Sequence, residues 1–276
     1  MENRETKLTR RIYTEKINEW DRLVKDPFHK LEYDTTLMFL KKYLPPKGLI
    51  LDAGGGPGRY TVELAKMGYD IMLMDLVPGH LEIAKKKIKQ AKIQGKVKGI
   101  VEGSITDLSG FKDKHFDAVI CLGGPLSHVH PAKERAAAVS ELIRVAKKNA
   151  PVFISVMGKF GTIARFLPRM IDKVKDTAQF KKLYLDGDDY RWYGGKESYA
   201  HFFELNELKL LFANKVKFLE DIGLQGLSSP SKEQINTMAE REPAAWKNWL
   251  EMHYKLCTHP TVVESSLHFM VIGRKK

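Results

Sequence analysis

Gly54, Gly56 and Gly58 stand at alternate positions in the run Gly54-Gly55-Gly56-Pro57-Gly58, between the apolar segment Leu49–Ala53 and a helix-forming segment that starts at Arg59. Glycine lets the chain turn sharply and lets a ligand touch backbone that a Cβ would otherwise cover. A helix that starts just after such a loop points its free N–H groups at whatever lies there. Asp75 closes the next apolar segment, 69–74, where a carboxylate can accept both hydroxyls of a ribose. A chance glycine turn accounts for the glycines alone. It does not account for the order strand, loop, helix, strand, acid.

Two nucleotide-binding patterns are excluded. The dinucleotide fingerprint needs Gly-x-Gly-x-x-Gly, and its sixth position, counted from Gly54, is Arg59. A phosphate loop ends in Gly-Lys-Ser or Gly-Lys-Thr, whereas this loop continues Gly58-Arg59-Tyr60. The missing glycine argues against an oxidoreductase.

The elements that must position these residues follow from periodicity and breakers. Residues 8–44 read as mostly helical, and Pro45-Pro46-Lys47-Gly48 punctuates them. Strands are expected at 49–53, 69–74, 97–101, 116–122 and 151–157. Between them lie helices from Arg59 to Met67, from Pro78 to about Gln94, and from Pro131 to about Lys148. Continuous apolar strands with helical crossovers imply an α/β, mostly parallel sheet covered on both faces. In the tail a helix near 206–213 precedes a strand near 216–222. A helical pair follows, with Ser231 and Gln234 as a capping box and Pro243 opening the second helix. A last strand at 267–274 is placed to pair antiparallel at one edge.

With 276 residues, 43% hydrophobic and 29% charged, the chain can bury a sizeable core, as one large domain with decorations or one large and one small domain. Cys121 and Cys257 are too few for a disulfide framework or a multi-cysteine zinc site, and no metal is expected. No apolar run is long enough to span a membrane. The charged start, residues 1–11, does not read as a secretory signal, so a cytoplasmic protein is expected. The net charge of +12 is concentrated in 85–98 and 144–182. It allows nucleic acid, anionic lipid or an anionic substrate as partner without choosing among them.

Four segments in order carry a resemblance. Leu51-Asp52-Ala53-Gly54-Gly55-Gly56-Pro57-Gly58-Arg59 resembles the first motif of class I S-adenosylmethionine-dependent methyltransferases. Met72-Leu73-Met74-Asp75-Leu76 resembles the second, Glu102-Gly103-Ser104-Ile105-Thr106-Asp107-Leu108 the third, and Phe116-Asp117-Ala118-Val119-Ile120-Cys121-Leu122 the fourth. Gly123-Gly124-Pro125-Leu126-Ser127-His128-Val129 resembles a loop in a poorly characterised subgroup associated with small-molecule substrates. The resemblance implies a doubly wound, seven-stranded, Rossmann-like sheet whose last strand runs antiparallel between two others. It implies S-adenosylmethionine as cofactor. Asp52, Gly54, Gly55, Gly56 and Gly58 would lie at its methionine part and Asp75 at its ribose. Leu76, Ser104, Ile105 and Asp107 would border the adenine, and Leu122 and Gly123 the sulfonium. Ser104 stands where the family often has an acid, which shifts adenine reading toward backbone groups or Asp107.

Methyl transfer needs alignment and exclusion of water, and a base only where the acceptor must lose a proton. His128 is the candidate base. Tyr13, Tyr190, Trp192, Tyr193 and His201 are candidates for the acceptor wall. Phe160, Ile163, Leu167, Met170 and Val174 form an apolar stripe that suits a lid packed on the body. The expected organisation is a helical cap over 1–44, a cofactor-binding core over 45–157 and a lid or substrate insert over 158–205. Residues 206–276 would complete the sheet, with a helical insert at about 231–258. The leading expectation is methylation of a small molecule. RNA or protein methylation, and cofactor binding without turnover, stay open as alternatives. Oligomeric state is not legible.

Overall fold

The computed structural model describes residues 3–15, 19–167, 174–190 and 197–276. The stretch read as mostly helical over 8–44 holds two helices, α1 (Arg4–Glu15) and α2 (Pro27–Tyr43). Asp26 is the reason. Its backbone is extended, its side chain accepts from His29 N at 2.9 Å, and Pro27 follows at the first helical position. Such a cap is worth about 1 kcal/mol and starts a new helix rather than continuing an old one.

The alternating core is β1 (Leu49–Ala53), α3 (Arg59–Lys66), β2 (Asp70–Asp75), α4 (Pro78–Gln90), β3 (Val97–Glu102), β4 (Ala118–Cys121), α5 (Ala132–Val145) and β5 (Pro151–Met157). Helix α4 ends at Gln90, short of the expected Gln94, because Lys92 takes φ 56° and breaks the helical path. The chain continues through α6 (Lys159–Phe166), α7 (Thr177–Lys181), the short pair β6 (Asp188–Asp189) and β7 (Ala200–His201), α8 (Leu205–Phe212) and β8 (Val216–Gly223). It closes with α9 (Lys232–Arg241), α10 (Pro243–Leu256), α11 (Pro260–Glu264) and β9 (His268–Lys275).

The main sheet has seven strands in the order β3-β2-β1-β4-β5-β9-β8. Strands β1 to β5 pair in parallel, while β9 is antiparallel to both β5 and β8. This is the doubly wound sheet that the resemblance implied. One face packs on α5 and α8 through Val139, Leu142 and Phe212, and the other on α2 and α3 through Leu40 and Leu64. Each such side chain contributes about 1.5–3 kcal/mol by leaving water. The strand order reverses between β1 and β4. The crevice at the carboxyl ends of these two strands is where open α/β sheets take ligands.

Two local expectations change. Ser231 precedes α9 but makes no side-chain capping bond, because its ψ of 45° is not the extended geometry that a capping box needs. The apolar stripe is shorter than its spacing suggests. Ile163 and Phe166 pack near Met157, Leu183 and Phe202, whereas Phe160, Leu167 and Val174 are exposed. Met170, Trp192 and Tyr193 lie outside the described residues. Trp246 and Trp249 do anchor the C-terminal helices, against Phe28, Leu31 and Ile235. Cys121 and Cys257 are both buried and not disulfide-bonded. Among the described residues no helix is long and apolar enough to cross a membrane.

Candidate functional site

At the end of β1 the chain must turn over the strand tips to enter α3. Gly54 N and Gly55 N both donate to Met74 O, at 2.8 and 3.1 Å, which ties the loop to β2. The glycines differ in what they permit. At Gly54 (φ +74°) a Cβ would stand 2.6 Å from Pro125 Cγ, and at Gly55 2.5 Å from Asp52 Cγ. Gly58 takes φ +82° as the residue that opens α3. At Gly56 (φ +56°) the nearest atom to such a Cβ is His80 Nδ1, 3.8 Å away. Gly54 and Gly55 are thus required by packing, while Gly56 leaves room.

Asp75 ends β2 and is buried. Its Oδ2 accepts from Gly56 N at 2.8 Å and its Oδ1 from Val77 N at 2.9 Å. Each carboxylate oxygen keeps a further lone pair for ligand hydroxyls. His80 sits in the first turn of α4 with Nδ1 3.5 Å from Asp75 Oδ1. Its Nε2 is buried and has no hydrogen-bond partner among the described residues. An unsatisfied buried group of this kind costs about 1–3 kcal/mol.

Asp52 lies beneath the loop and is not on the cavity wall. Its Oδ2 accepts from the Thr61 hydroxyl at 2.7 Å, and its Oδ1 has no partner among the described residues. Burial pushes this carboxyl up to about 6; the Thr61 bond opposes the rise and the nearby charge of Asp75 adds to it.

The cavity opens above Gly54, Gly55 and Gly56. Asp75, Leu76, Ser104 and Ile105 form one side, and Leu122, Gly123, Pro125 and His128 the other. Ser104 Oγ is paired with Thr106 Oγ1 at 2.8 Å. Gly123 N donates to Ser155 Oγ at 2.8 Å, which fixes the turn after β4. Gly58 is not on this wall. Asp107 is not on this wall but lines an adjoining open groove that shares Leu76, Ser104 and Thr106 with the cavity, and its Oδ1 accepts from Ser109 N at 3.0 Å.

Helix α1 covers the opening with Thr6, Thr9 and Tyr13, and Asn3 just before it lines the same wall. Leu8 and Ile12 bury its apolar side, Asn3 Nδ2 donates to His130 O at 2.7 Å, and Arg10 pairs with Glu102 at 2.7 Å. Tyr13 Oη stands 2.9 Å from His128 Nε2, and His128 Nδ1 stands 3.0 Å from Tyr199 O. A carbonyl can only accept, so Nδ1 carries the proton and, in the neutral ring, Nε2 accepts from the Tyr13 hydroxyl. The Tyr13 ring makes edge contacts with both His128 and His80.

Sequence reasoning missed a charged group on this wall. Arg22 pairs with Glu19 at 2.6 Å and with the buried Glu32 at 3.1 Å. Burial alone would lower the Arg22 pKa, but the two carboxylates outweigh it and hold the guanidinium well above its ordinary value. Burial would raise Glu32, yet Arg22 and then His268 keep it below the usual range. No motif announces this group, because Arg22 reaches Glu32 and the cavity only through the packing of the segment before α2. His80 was also missed. Its signal was Pro78, which starts α4 so close to Asp75 that the first turn must return to the strand end.

Two predicted acceptor residues lie elsewhere. Tyr190 packs on Tyr199 and approaches His130 at 3.4 Å, behind the cavity wall. His201 is sealed between Asp188 at 2.8 Å and Glu207 at 2.7 Å. Burial raises the Asp188 carboxyl, but bonds from His201 and Tyr199 outweigh this and hold it below its ordinary value.

The residues present fit an adenosyl cofactor. Gly56 leaves room for backbone approach, Asp75 is a buried acid with spare lone pairs, and Leu76 and Ile105 offer apolar surface for a flat base. Residues 50–149 match the family model described as "Methyltransferase domain". Two similar curated proteins are glycine/sarcosine N-methyltransferases. The one from Aphanothece halophytica is 26% identical over 135 residues, covering 48% of this chain and 49% of that protein. The one from Halorhodospira halochloris is 30% identical over 126 residues, covering 45% of each. The matches thus span about half the length of these relatives. Among solved structures, a SAM-dependent methyltransferase from Methanosarcina mazei superposes with TM-score 0.59 at 20% identity, covering 86% of this chain and 96% of that one. The N-methyltransferase NodS from Bradyrhizobium japonicum does so with TM-score 0.57 at 11% identity, covering 98% of each. Fold likeness and the family match meet over the same β1-loop-α3 region: residues 50–149 carry the sequence of a methyltransferase domain, on a fold shared with SAM-dependent methyltransferases of known structure.

Proposed function

We propose that this chain transfers the methyl group of S-adenosylmethionine to a small protic acceptor, an amine or a phenol, with Tyr13 and His128 as the proton route. The Tyr13 Oη to His128 Nε2 contact of 2.9 Å, in the cavity that also holds the glycine loop and Asp75, carries this reading. The named relatives support a small acceptor: two of them are glycine/sarcosine N-methyltransferases.

The cofactor supplies a methyl group on a positively charged sulfur, which is electrophilic without further activation. Asp75 would hold the ribose hydroxyls, Leu76 and Ile105 the base, and the backbone at Gly54–Gly56 the methionine part. Arg22 would face its carboxylate. Helix α1 excludes water above them, which strengthens each polar contact and aligns the acceptor. As the acceptor attacks, its proton passes to the Tyr13 oxygen while the Tyr13 proton passes to His128 Nε2. The imidazolium so formed keeps its Nδ1–H on Tyr199 O.

A methyl-transfer assay with labelled cofactor against small amines, phenols and carboxylates tests this. The expected result is transfer to one such class, lost in His128→Ala while S-adenosylhomocysteine still binds. Transfer to RNA or protein instead, or tight binding without any transfer, would contradict it.

A further inference from the structure

His80 is a buried imidazole that the proposed methyl transfer does not use. It is 4% exposed and lines the cavity from the first turn of α4. Its Nδ1 faces Asp75 Oδ1 at 3.5 Å, so the proton of the neutral ring belongs on Nδ1, and Nε2 carries a lone pair. That Nε2 has no hydrogen-bond partner among the described residues. A leucine of similar bulk would avoid the penalty of an unused buried acceptor. The penalty is relieved only when a donor reaches the nitrogen. The Asp75 carboxylate beside it is the acid assigned to the ribose, and a ribose hydroxyl can donate as well as accept.

We propose that His80 is a second ribose-binding residue, whose Nε2 accepts a hydrogen bond from a hydroxyl of the sugar held by Asp75. This rests on the cofactor reading of the site given above. It assigns a role that the sequence motifs did not, since His80 lies outside all four.

The physics sets opposite signs for two measurements. Replacing His80 by leucine removes an unsatisfied polar atom from the ligand-free protein and an acceptor from the complex. His80→Leu should therefore raise the Tm of the ligand-free protein and weaken S-adenosylhomocysteine binding by about three- to tenfold, the worth of one hydrogen bond. His80→Gln keeps an acceptor on the side chain and should retain more of the affinity. Calorimetry with adenosine identifies the donor: the same loss for adenosine places it on the ribose. A loss confined to S-adenosylhomocysteine moves it to the α-ammonium and overturns the ribose assignment. An unchanged affinity in His80→Leu, alongside a large loss in Asp75→Ala, overturns the proposal and leaves the cofactor reading standing. Wild-type protein that binds neither ligand overturns both. Should His80→Leu not fold, imidazole nitrogen NMR of the wild-type protein decides. The His80 Nε2 resonance is expected to shift on adding S-adenosylhomocysteine, and a resonance that stays in place refutes the contact.

Discussion

Gly56 and Asp75 are joined by a 2.8 Å hydrogen bond from the Gly56 N–H to Asp75 Oδ2, so the glycine loop and the acid at the end of β2 form one unit. Removing the acid removes the proposed ribose acceptor and also frees the loop. Asp75→Ala is expected to weaken S-adenosylhomocysteine binding about a hundredfold, since bonds to a charged acceptor are each worth about 1.5–3 kcal/mol. Calorimetry reads this directly, and an affinity equal to that of the wild type would refute the assignment.

The glycines should separate in mutagenesis. At Gly54 a Cβ meets Pro125 Cγ at 2.6 Å, whereas at Gly56 the space beyond is open as far as His80 Nδ1 at 3.8 Å. Gly54→Val should lower the Tm through this clash. Gly56→Val should cost only the backbone strain of its positive φ, about 1–3 kcal/mol, while its side chain blocks the ligand. A folded Gly56→Val protein with normal binding in calorimetry would show that the loop does not face the cofactor.

The Tyr13–His128 pair predicts a split between binding and turnover. His128→Ala should reduce kcat by about 10²–10⁴, the usual worth of a general base, with little change in cofactor affinity. Tyr13→Phe should do the same to a smaller extent, because water can replace its hydroxyl in the proton route. Steady-state kinetics with the acceptor found by screening measures both. Equal losses of affinity and turnover would assign the pair to cofactor packing instead.

Asp52 predicts a pH dependence of stability. Its carboxyl is raised from the ordinary 3.8 to about 6 by burial, so the folded state binds its proton more tightly than the unfolded chain. The stability this contributes is fully present below 3.8 and is lost as pH rises through about 6. Asp52→Asn, which keeps an acceptor for the Thr61 hydroxyl, should be more stable than the wild type at neutral pH. That advantage should shrink on acidification across this window. Urea midpoints of both proteins at several pH values test it; a constant difference would contradict it.

What the sequence showed and what it hid divide by range. The β1-loop-α3-β2 unit and Asp75 were legible because strand period, glycine spacing and helix start are local signals. The antiparallel pairing of the last strand was legible near one edge, while the place of β9 between β5 and β8 came from the resemblance. Arg22 was not legible as part of the site, since its contact with the buried Glu32 of α2 and its place on the cavity wall come from the packing of a segment without a motif. His201 was expected on the acceptor wall. In the fold Asp188 and Glu207 occupy both of its nitrogens and bury it, a pairing made by tertiary packing. Ser231 had capping-box spacing but not the backbone angle.

The most direct test of the central claim is calorimetric titration of the wild-type protein with S-adenosylmethionine, S-adenosylhomocysteine and NAD. The first two are expected to bind at a single site and to compete with one another, and NAD is expected not to bind. Failure of both adenosyl ligands to bind, or binding of NAD in their place, would contradict it.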